Sequence, residues 1–225
     1  MSLKLENVEV SIQAAPILRG VTLELNTGER AGLIGRNGAG KTTIMRTITG
    51  LASMSGGKVI WNGQDISAMP ARDRARLGFG YMPEDRRLVP ELTVEENMLL
   101  PAWVNAEIDG KAGLDFVYGL MPELTDMAGR KALLLSGGQQ KLVALGRALI
   151  AGRRLLLLDE PFEGVAPALA KRISEVIASL KGEGLSVLIA QSELSHSSEL
   201  LECEHLIERG EITRRNQIAP ELEKG

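Results

Sequence analysis

Apolar positions alternate along the first part of the chain. Leu3, Leu5 and Val8, and then Val21, Leu23 and Leu25, give two short strand-like stretches, each with one buried face. Residues 26–29, "NTGE", form a turn that leads into the next strand. "RAGLIG", residues 30–35, reads as a buried strand that ends in a glycine-rich loop. A helix is predicted from Thr42 to about Thr49, with Gly50 placed to stop it. "GKVIWNGQDI", residues 57–66, predicts strand, turn and strand.

From Pro90 the period changes. Thr93 is an N-cap candidate with Glu96 as its capping-box partner, and helical spacing continues loosely through residues 112–124. "GGQQKLVALGRALI", residues 137–150, reads as another helix. Beyond it come the aliphatic strand "RRLLLLDEP", a helix over 167–181, the strand "LSVLIAQS" and a short strand pair turning at Gly210. Buried strands alternating with helices specify an α/β sheet. The expected organisation is one domain, residues 1–225. Residues 1–85 and 147–225 form its core with an antiparallel β subdomain, and 86–146 a mostly helical insert.

Composition narrows the function classes. The 225 residues are 44% hydrophobic and 24% charged, ordinary for a globular protein. Twenty-six basic and twenty-nine acidic residues leave a formal charge of −3, which gives no support to a nucleic-acid-coating surface. Cys203 is the single cysteine, so an internal disulfide is excluded and no cysteine cluster suggests zinc. No run approaches the roughly 20 apolar residues that span a bilayer, and "MSLKLENVEV" lacks a signal peptide's apolar core. Any service to a membrane is therefore expected from the cytoplasmic side, through a partner. Cys203 reads as an inert thiol, His205 as a surface or partly packed residue, and Trp61 and Trp103 as core anchors, with contact to a membrane partner as the alternative for Trp103 in the helical insert.

The chemistry starts at "GRNGAGKTT", residues 35–43. Gly35, Gly40, Lys41 and Thr42 match G-x-x-x-x-G-K-[ST], the phosphate loop of P-loop NTPases. Glycines let the backbone curl so that successive N–H groups point at phosphate oxygens, and the following helix adds its unpaired amides. Lys41 reaches the β and γ phosphates, and the Thr42 hydroxyl binds Mg²⁺. Arg36, Asn37, Gly38, Ala39 and Thr43 complete the loop, where backbone matters more than side chains. An ATPase, a GTPase and a kinase all remain open here. A GTPase needs a base-reading N-K-x-D, which is absent, and only Arg86 and Arg87 hint at a kinase-type lid. "LLLLDEP" then ends a strand in Asp159, a Mg²⁺ ligand, and Glu160, placed as general base for the attacking water.

"LSGGQQ", residues 135–140, stands between those motifs. With them, in this order, it resembles the signature motif of ABC-transporter ATP-binding subunits, and the resemblance covers Leu3 to about Thr213. It implies the ABC ATPase fold, a P-loop NTPase (RecA-like) core with an antiparallel β subdomain and an inserted helical one. It also implies a homodimer, or a heterodimer with a sister ATPase, that sandwiches two ATP. Each ATP lies between the phosphate loop of one subunit and Ser136, Gly137 and Gly138 of the other, with Gln139 shaping that interface. Residue by residue, Glu84 falls at the Q-loop position, as a link to the helical subdomain and a further Mg²⁺ candidate. Gln191 falls at the switch position against the γ-phosphate, a register error there making His196 the switch residue. Residues 161–167 form the D-loop, and Ile12 lies near the position that stacks on adenine.

Glu84, Gln191, "RRLVPELTVEEN" and "EGVAP" are similar to one branch in particular, the shorter, LivF-type ATPase of branched-chain amino acid importers. The resemblance implies an ATP-hydrolysing motor on the cytoplasmic face of a bacterial or archaeal membrane. Its partners are transmembrane permease subunits and, indirectly, an external solute-binding protein. The competing readings are a motor for another solute and a soluble ABC ATPase acting in regulation, translation or DNA repair.

Overall fold

The computed structural model describes residues 2–182, 184–192 and 198–217. Among them, the strands form two sheets. The first is antiparallel. β1 (Ser2–Ile12) pairs with β2 (Ala15–Asn26) on one side and with β4 (Gly56–Trp61) on the other, and β5 (Gln64–Asp65) closes the edge. Both leading strands are longer than the sequence pattern suggests. The register slips between Leu5 and Val8, where Asn7 takes φ 48°, and the inward face is recovered after a three-residue step.

The second sheet has six strands in the order β10-β9-β3-β8-β7-β6. Its parallel strands are β3 (Arg30–Ile34), β6 (Phe79–Met82), β7 (Leu155–Asp159), β8 (Ser186–Gln191) and β9 (Cys203–Glu208). β10 (Glu211–Gln217) is antiparallel to β9. The four leucines of β7 explain why the strand is apolar throughout. Leu156 and Leu158 enter one core with the helical layer, whereas Leu155 and Leu157 enter the other with the antiparallel sheet. Trp61 anchors that second core edge-on to Phe79, with ring centroids 4.8 Å apart.

α1 (Lys41–Ile48) begins one residue earlier than its spacing suggests and ends before Gly50, which takes φ 76°. Its last carbonyls are held by Arg74 of α2 (Ala71–Arg76), whose Nη1 donates to Thr47 O at 2.7 Å and Ile48 O at 2.9 Å. The helical layer comprises α3 (Val94–Val104), α4 (Gly110–Leu120) and α5 (Gly137–Ala151), and α6 (Pro167–Ser179) lies between β7 and β8 in sequence. The capping box at the start of α3 forms. Glu96 N donates to Thr93 Oγ1 at 3.2 Å, and Thr93 N to Glu96 Oε2 at 2.8 Å. α5 runs unbroken across residue 146, the expected edge of the insert, and its buried residues pack with both the helical layer and the sheet. Trp103, expected in the core, is instead 56% exposed at the end of α3 beside Val104. His205 corrects the opposite way: it is buried in β9, with Nε2 3.9 Å from Cys203 Sγ.

α5 sits on β6 at backbone distance. A Cβ on Gly80 would lie 2.1 Å from Ala148 O and 2.7 Å from Gly152 Cα, so only glycine lets helix and strand approach this closely. Gly80→Ala is expected to cost about 2 kcal/mol or more, as overpacking does. Gly119→Ala, on an exposed helix position with nothing within 4 Å, should be neutral or slightly stabilising. Thermal or urea unfolding of the two variants checks the contrast.

Candidate functional site

Because β3, β8, β7 and β6 lie side by side and parallel, their carboxyl ends open along one edge of the sheet. Each contributes to a common site. β3 runs into the loop 35–40, β6 into Pro83 and Glu84, β7 into Asp159 and Glu160, and β8 into Gln191 and Ser192.

The phosphate loop closes on Gly40, whose φ of 113° is inaccessible to residues with a Cβ. Gly40 caps α1 without a side chain, and the first turn holds no acidic residue. The amides and the positive end of the helix are therefore left for an external anion. Lys41 is buried, and its Nζ donates to Gly35 O at 2.5 Å and Arg36 O at 3.2 Å while pairing with Glu160 Oε1 at 3.0 Å. Ala39 braces the loop from behind: its N–H donates to Arg36 O, and its carbonyl accepts from Gly210 N. Asn37, Gly38, Gly40, Lys41, Thr42 and Thr43 line a cleft of about 390 Å³ with Ile12, Ile17, Glu84 and Glu160. Ile12 is half exposed there, offering an apolar surface without a ring.

Asp159 is fully buried. One carboxylate oxygen lies 3.3 Å from Thr42 Oγ1, and the other accepts from Tyr81 Oη at 3.1 Å. Burial pushes its pKa up, while those two hydrogen bonds pull it down. Tyr81 is driven upward by its own burial and by the Asp159 charge, so it stays a donor. Glu160, with φ 49°, sits in left-handed backbone, which costs a non-glycine residue roughly 1–2 kcal/mol. Its N–H donates to Ala190 O, fixing the turn off the sheet. Glu84 is pushed up by desolvation first and then by the carboxylates of Glu163, Asp159, Glu160 and Asp85.

At the end of β8 stands Gln191, expected at the switch position, with Ser192 directly after it. Gln191 is a buried strand residue whose carbonyl accepts from Gly35 N at 3.2 Å. Ser192 brings its side chain to Glu160, with Oγ 2.8 Å from Glu160 Oε1 and 2.8 Å from Asn37 Oδ1, and N 3.2 Å from Glu160 Oε2. The register alternative, His196, lies outside the described residues.

Ser136, Gly137, Gly138 and Gln139 are not in this cleft. They open α5 as a capping box, with Gln139 N donating to Ser136 Oγ at 3.3 Å and Ser136 N to Gln139 Oε1 at 3.0 Å. Gly137 lines a separate depression of about 300 Å³ with Asp85, Arg86, Lys141, Glu163 and Glu84, which also borders the phosphate cleft. α5 grips both loops beside it. Lys141 Nζ donates to Glu160 O at 2.8 Å and Glu163 O at 2.5 Å, while Arg147 donates to Arg86 O and Arg87 O at 2.5 and 2.7 Å. Sequence reasoning missed Tyr81, Lys141, Arg147 and Ser192. A cation or hydroxyl at an apolar helix or strand position was the one signal available.

The Thr42 hydroxyl beside the Asp159 carboxylate, with Glu84 nearby among further acids, is a hard-oxygen donor set that suits Mg²⁺. Among the described residues no three acidic, histidine or cysteine side chains form a cage by themselves.

Comparison with known proteins shows the family. The family described as ABC transporter matches residues 18–163. BraG of Pseudomonas aeruginosa, a high-affinity branched-chain amino acid transport ATP-binding protein, is 34% identical over 87% of this chain and 84% of its own. LptB of Escherichia coli, the ATP-binding protein of a lipopolysaccharide export system, is 32% identical over 94% of this chain and 88% of its own. A nucleotide-free ATP-binding cassette from an ABC transporter superposes with a TM-score of 0.85 at 28% identity, covering 96% of this chain and 92% of that one.

The position of Ser192 generates a test. Ser192→Ala should lower the steady-state rate of nucleotide hydrolysis about tenfold with little change in KM, because the lost hydroxyl orients a carboxylate rather than holding phosphate. Initial-rate kinetics across nucleotide concentrations check it, and an unchanged kcat contradicts it.

Proposed function

Because this chain belongs to the ABC transporter family of ATP-binding subunits, and is therefore an ATP-hydrolysing cassette, we propose that it is the motor subunit of a membrane importer for branched-chain or related amino acids. The observation that carries the motor reading is the separation of the signature segment from the phosphate cleft of its own chain. A second ATPase subunit, identical or a sister, placed head to tail brings its Ser136, Gly137 and Gly138 to the γ-phosphate held here, and ATP becomes the material that closes the pair. Glu84, bordering both depressions, connects that closure to the helical layer.

The chemistry follows from the same contacts. The ATP phosphates enter the loop 35–43, take up the first-turn amides of α1 and compete with Glu160 for Lys41. The released carboxylate, steadied by Ser192, takes a proton from water as the water oxygen attacks the γ-phosphorus and the bond to the β-phosphate oxygen breaks, leaving ADP and phosphate. Thr42 and Asp159, with Glu84 nearby, would hold Mg²⁺, which would supply neutralisation of phosphate charge. Gln191, the last residue of β8, takes the switch position against the γ-phosphate, and Ile12 with Ile17 forms the apolar rim for adenine.

Glu84 and the likeness to BraG support the amino-acid importer reading. A motor for lipopolysaccharide export is the second reading, favoured by the LptB relatives at nearly the same identity. Among the described residues no helix is long and apolar enough to cross a membrane. Attachment to the cytoplasmic face of a bacterial or archaeal membrane then runs through permease subunits, and the exposed Trp103 and Val104 are a suitable apolar contact. An external solute-binding protein would act through the permease.

Glu160→Gln should bind ATP, hydrolyse it at least about 100-fold more slowly and accumulate as a closed dimer. Turnover at the normal rate would remove Glu160 as the base. Membrane proteins co-purifying with the ATP-trapped variant identify the system. Two permease-like subunits and a sister ATPase support the importer, a lipopolysaccharide export assembly supports the second reading, and ribosomes or DNA-bound partners overturn transport.

A further inference from the structure

Glu160 is held by two lysines acting on opposite ends of the residue. Lys41 meets the carboxylate at 3.0 Å, and Lys141 meets the main-chain carbonyl at 2.8 Å. Lys141 also reaches Glu163 O, so one ammonium fastens both ends of the turn that follows β7. Its residue is only 5% exposed, and desolvation opposes its charge, while the carboxylates of Glu163, Glu160 and Glu84 favour it. Burying a cation to bridge two carbonyls is an expensive device where a neutral donor would satisfy one of them.

Two features give this bond a role beyond packing. Glu160 occupies left-handed backbone, so the direction of its side chain depends on what fixes its peptide planes. Three hydrogen bonds fix them: Glu160 N to Ala190 O, Glu163 N to Glu160 O at 3.2 Å, and Lys141 Nζ to Glu160 O at 2.8 Å. The first comes from the rigid sheet and the second lies within the turn itself. The third, the shorter of the two on the carbonyl, comes from α5, four residues past Gly137, where the helix opens with the signature segment. Residues four apart share one face of a helix, about one turn from each other.

We propose that Lys141 is a positioning residue for ATP hydrolysis: it ties the main chain of Glu160 to α5, so that the placement of the Glu160 carboxylate follows the signature helix. The proposal rests on Glu160 being the base. A phosphate engaged by Ser136, Gly137 and Gly138 acts, through Lys141, on the hydrolytic residue of the same chain. The two ATP sites of a pair then influence one another without passing through bulk domain motion.

The test is steady-state ATPase kinetics, nucleotide binding and thermal unfolding of Lys141→Met, Lys141→Gln and Lys141→Arg, with Glu160→Gln alongside. Lys141→Met keeps the stem and removes the donor. It should lower kcat about 30-fold or more while KM and the affinity for ATP stay within about twofold. Lys141→Arg should recover most of that loss, and Lys141→Gln, with fewer donors, less of it. A residue that only packs would lower the melting temperature and leave kcat per nucleotide-binding site intact, which overturns the proposal. Should Lys141→Met fail to fold, wild-type kcat in both the Gln and Arg variants overturns it equally. Normal turnover by Glu160→Gln defeats the base assignment and the tether together. An inactive Glu160→Gln beside a normal Lys141→Met defeats the tether alone.

Discussion

A buried carboxylate on left-handed backbone is the point to which the other parts of this protein are fitted. Glu160 is 6% exposed, and its charge is held by Lys41 from the phosphate loop and by Ser192 from the end of β8. Such a group is stable only with partners of opposite charge or with good donors, and removing one partner of a buried pair typically costs about 3–5 kcal/mol. The sheet order follows from this need. β3, β8 and β7 must be neighbours and parallel for lysine, serine and glutamate to meet at their carboxyl ends. The aliphatic runs of β7 and β8, buried on both faces, keep those ends in place.

The two helix starts near the site solve opposite problems. α1 begins at a glycine with no side-chain cap, leaving its amides to a ligand. α5 begins with a Ser136–Gln139 capping box that satisfies amides internally, yet the Ser136 hydroxyl still has its proton to give. The first is a complete phosphate cradle. The second is a self-capped, glycine-bearing end that opens on a separate depression. α5 connects the two through its grip on the loops after β6 and β7.

Local patterns in the sequence carried most of the fold. Thr93 with Glu96 announced a helix start by spacing alone, and the four leucines before Asp159 announced a strand buried on both sides. The same S-x-x-Q spacing at Ser136 was read for its interface and not for its capping, although both follow from the residues. Ser192 was passed over because nothing in "LIAQS" marks its hydroxyl as reaching Glu160, a contact made only once β7 and β8 are paired. Lys141, Arg147 and Tyr81 were invisible for a different reason: each acts on a main-chain or side-chain group distant in sequence, through contacts that exist only after the sheet and α5 are assembled. Trp103 and His205 were misplaced because single large residues carry no period.

Mixing two inactive variants tests whether the cleft of one chain is completed by the signature segment of a second copy. Lys41→Ala disables the phosphate loop, and Gly137→Asp disables the start of α5. In an equimolar mixture, half of the dimers contain one of each, and one of their two composite sites is intact. Recovery of roughly a quarter of wild-type ATPase activity is expected on mixing, as random pairing of two-fold dimers requires. A mixture no more active than the average of its two components rules out completion by a second copy of this chain.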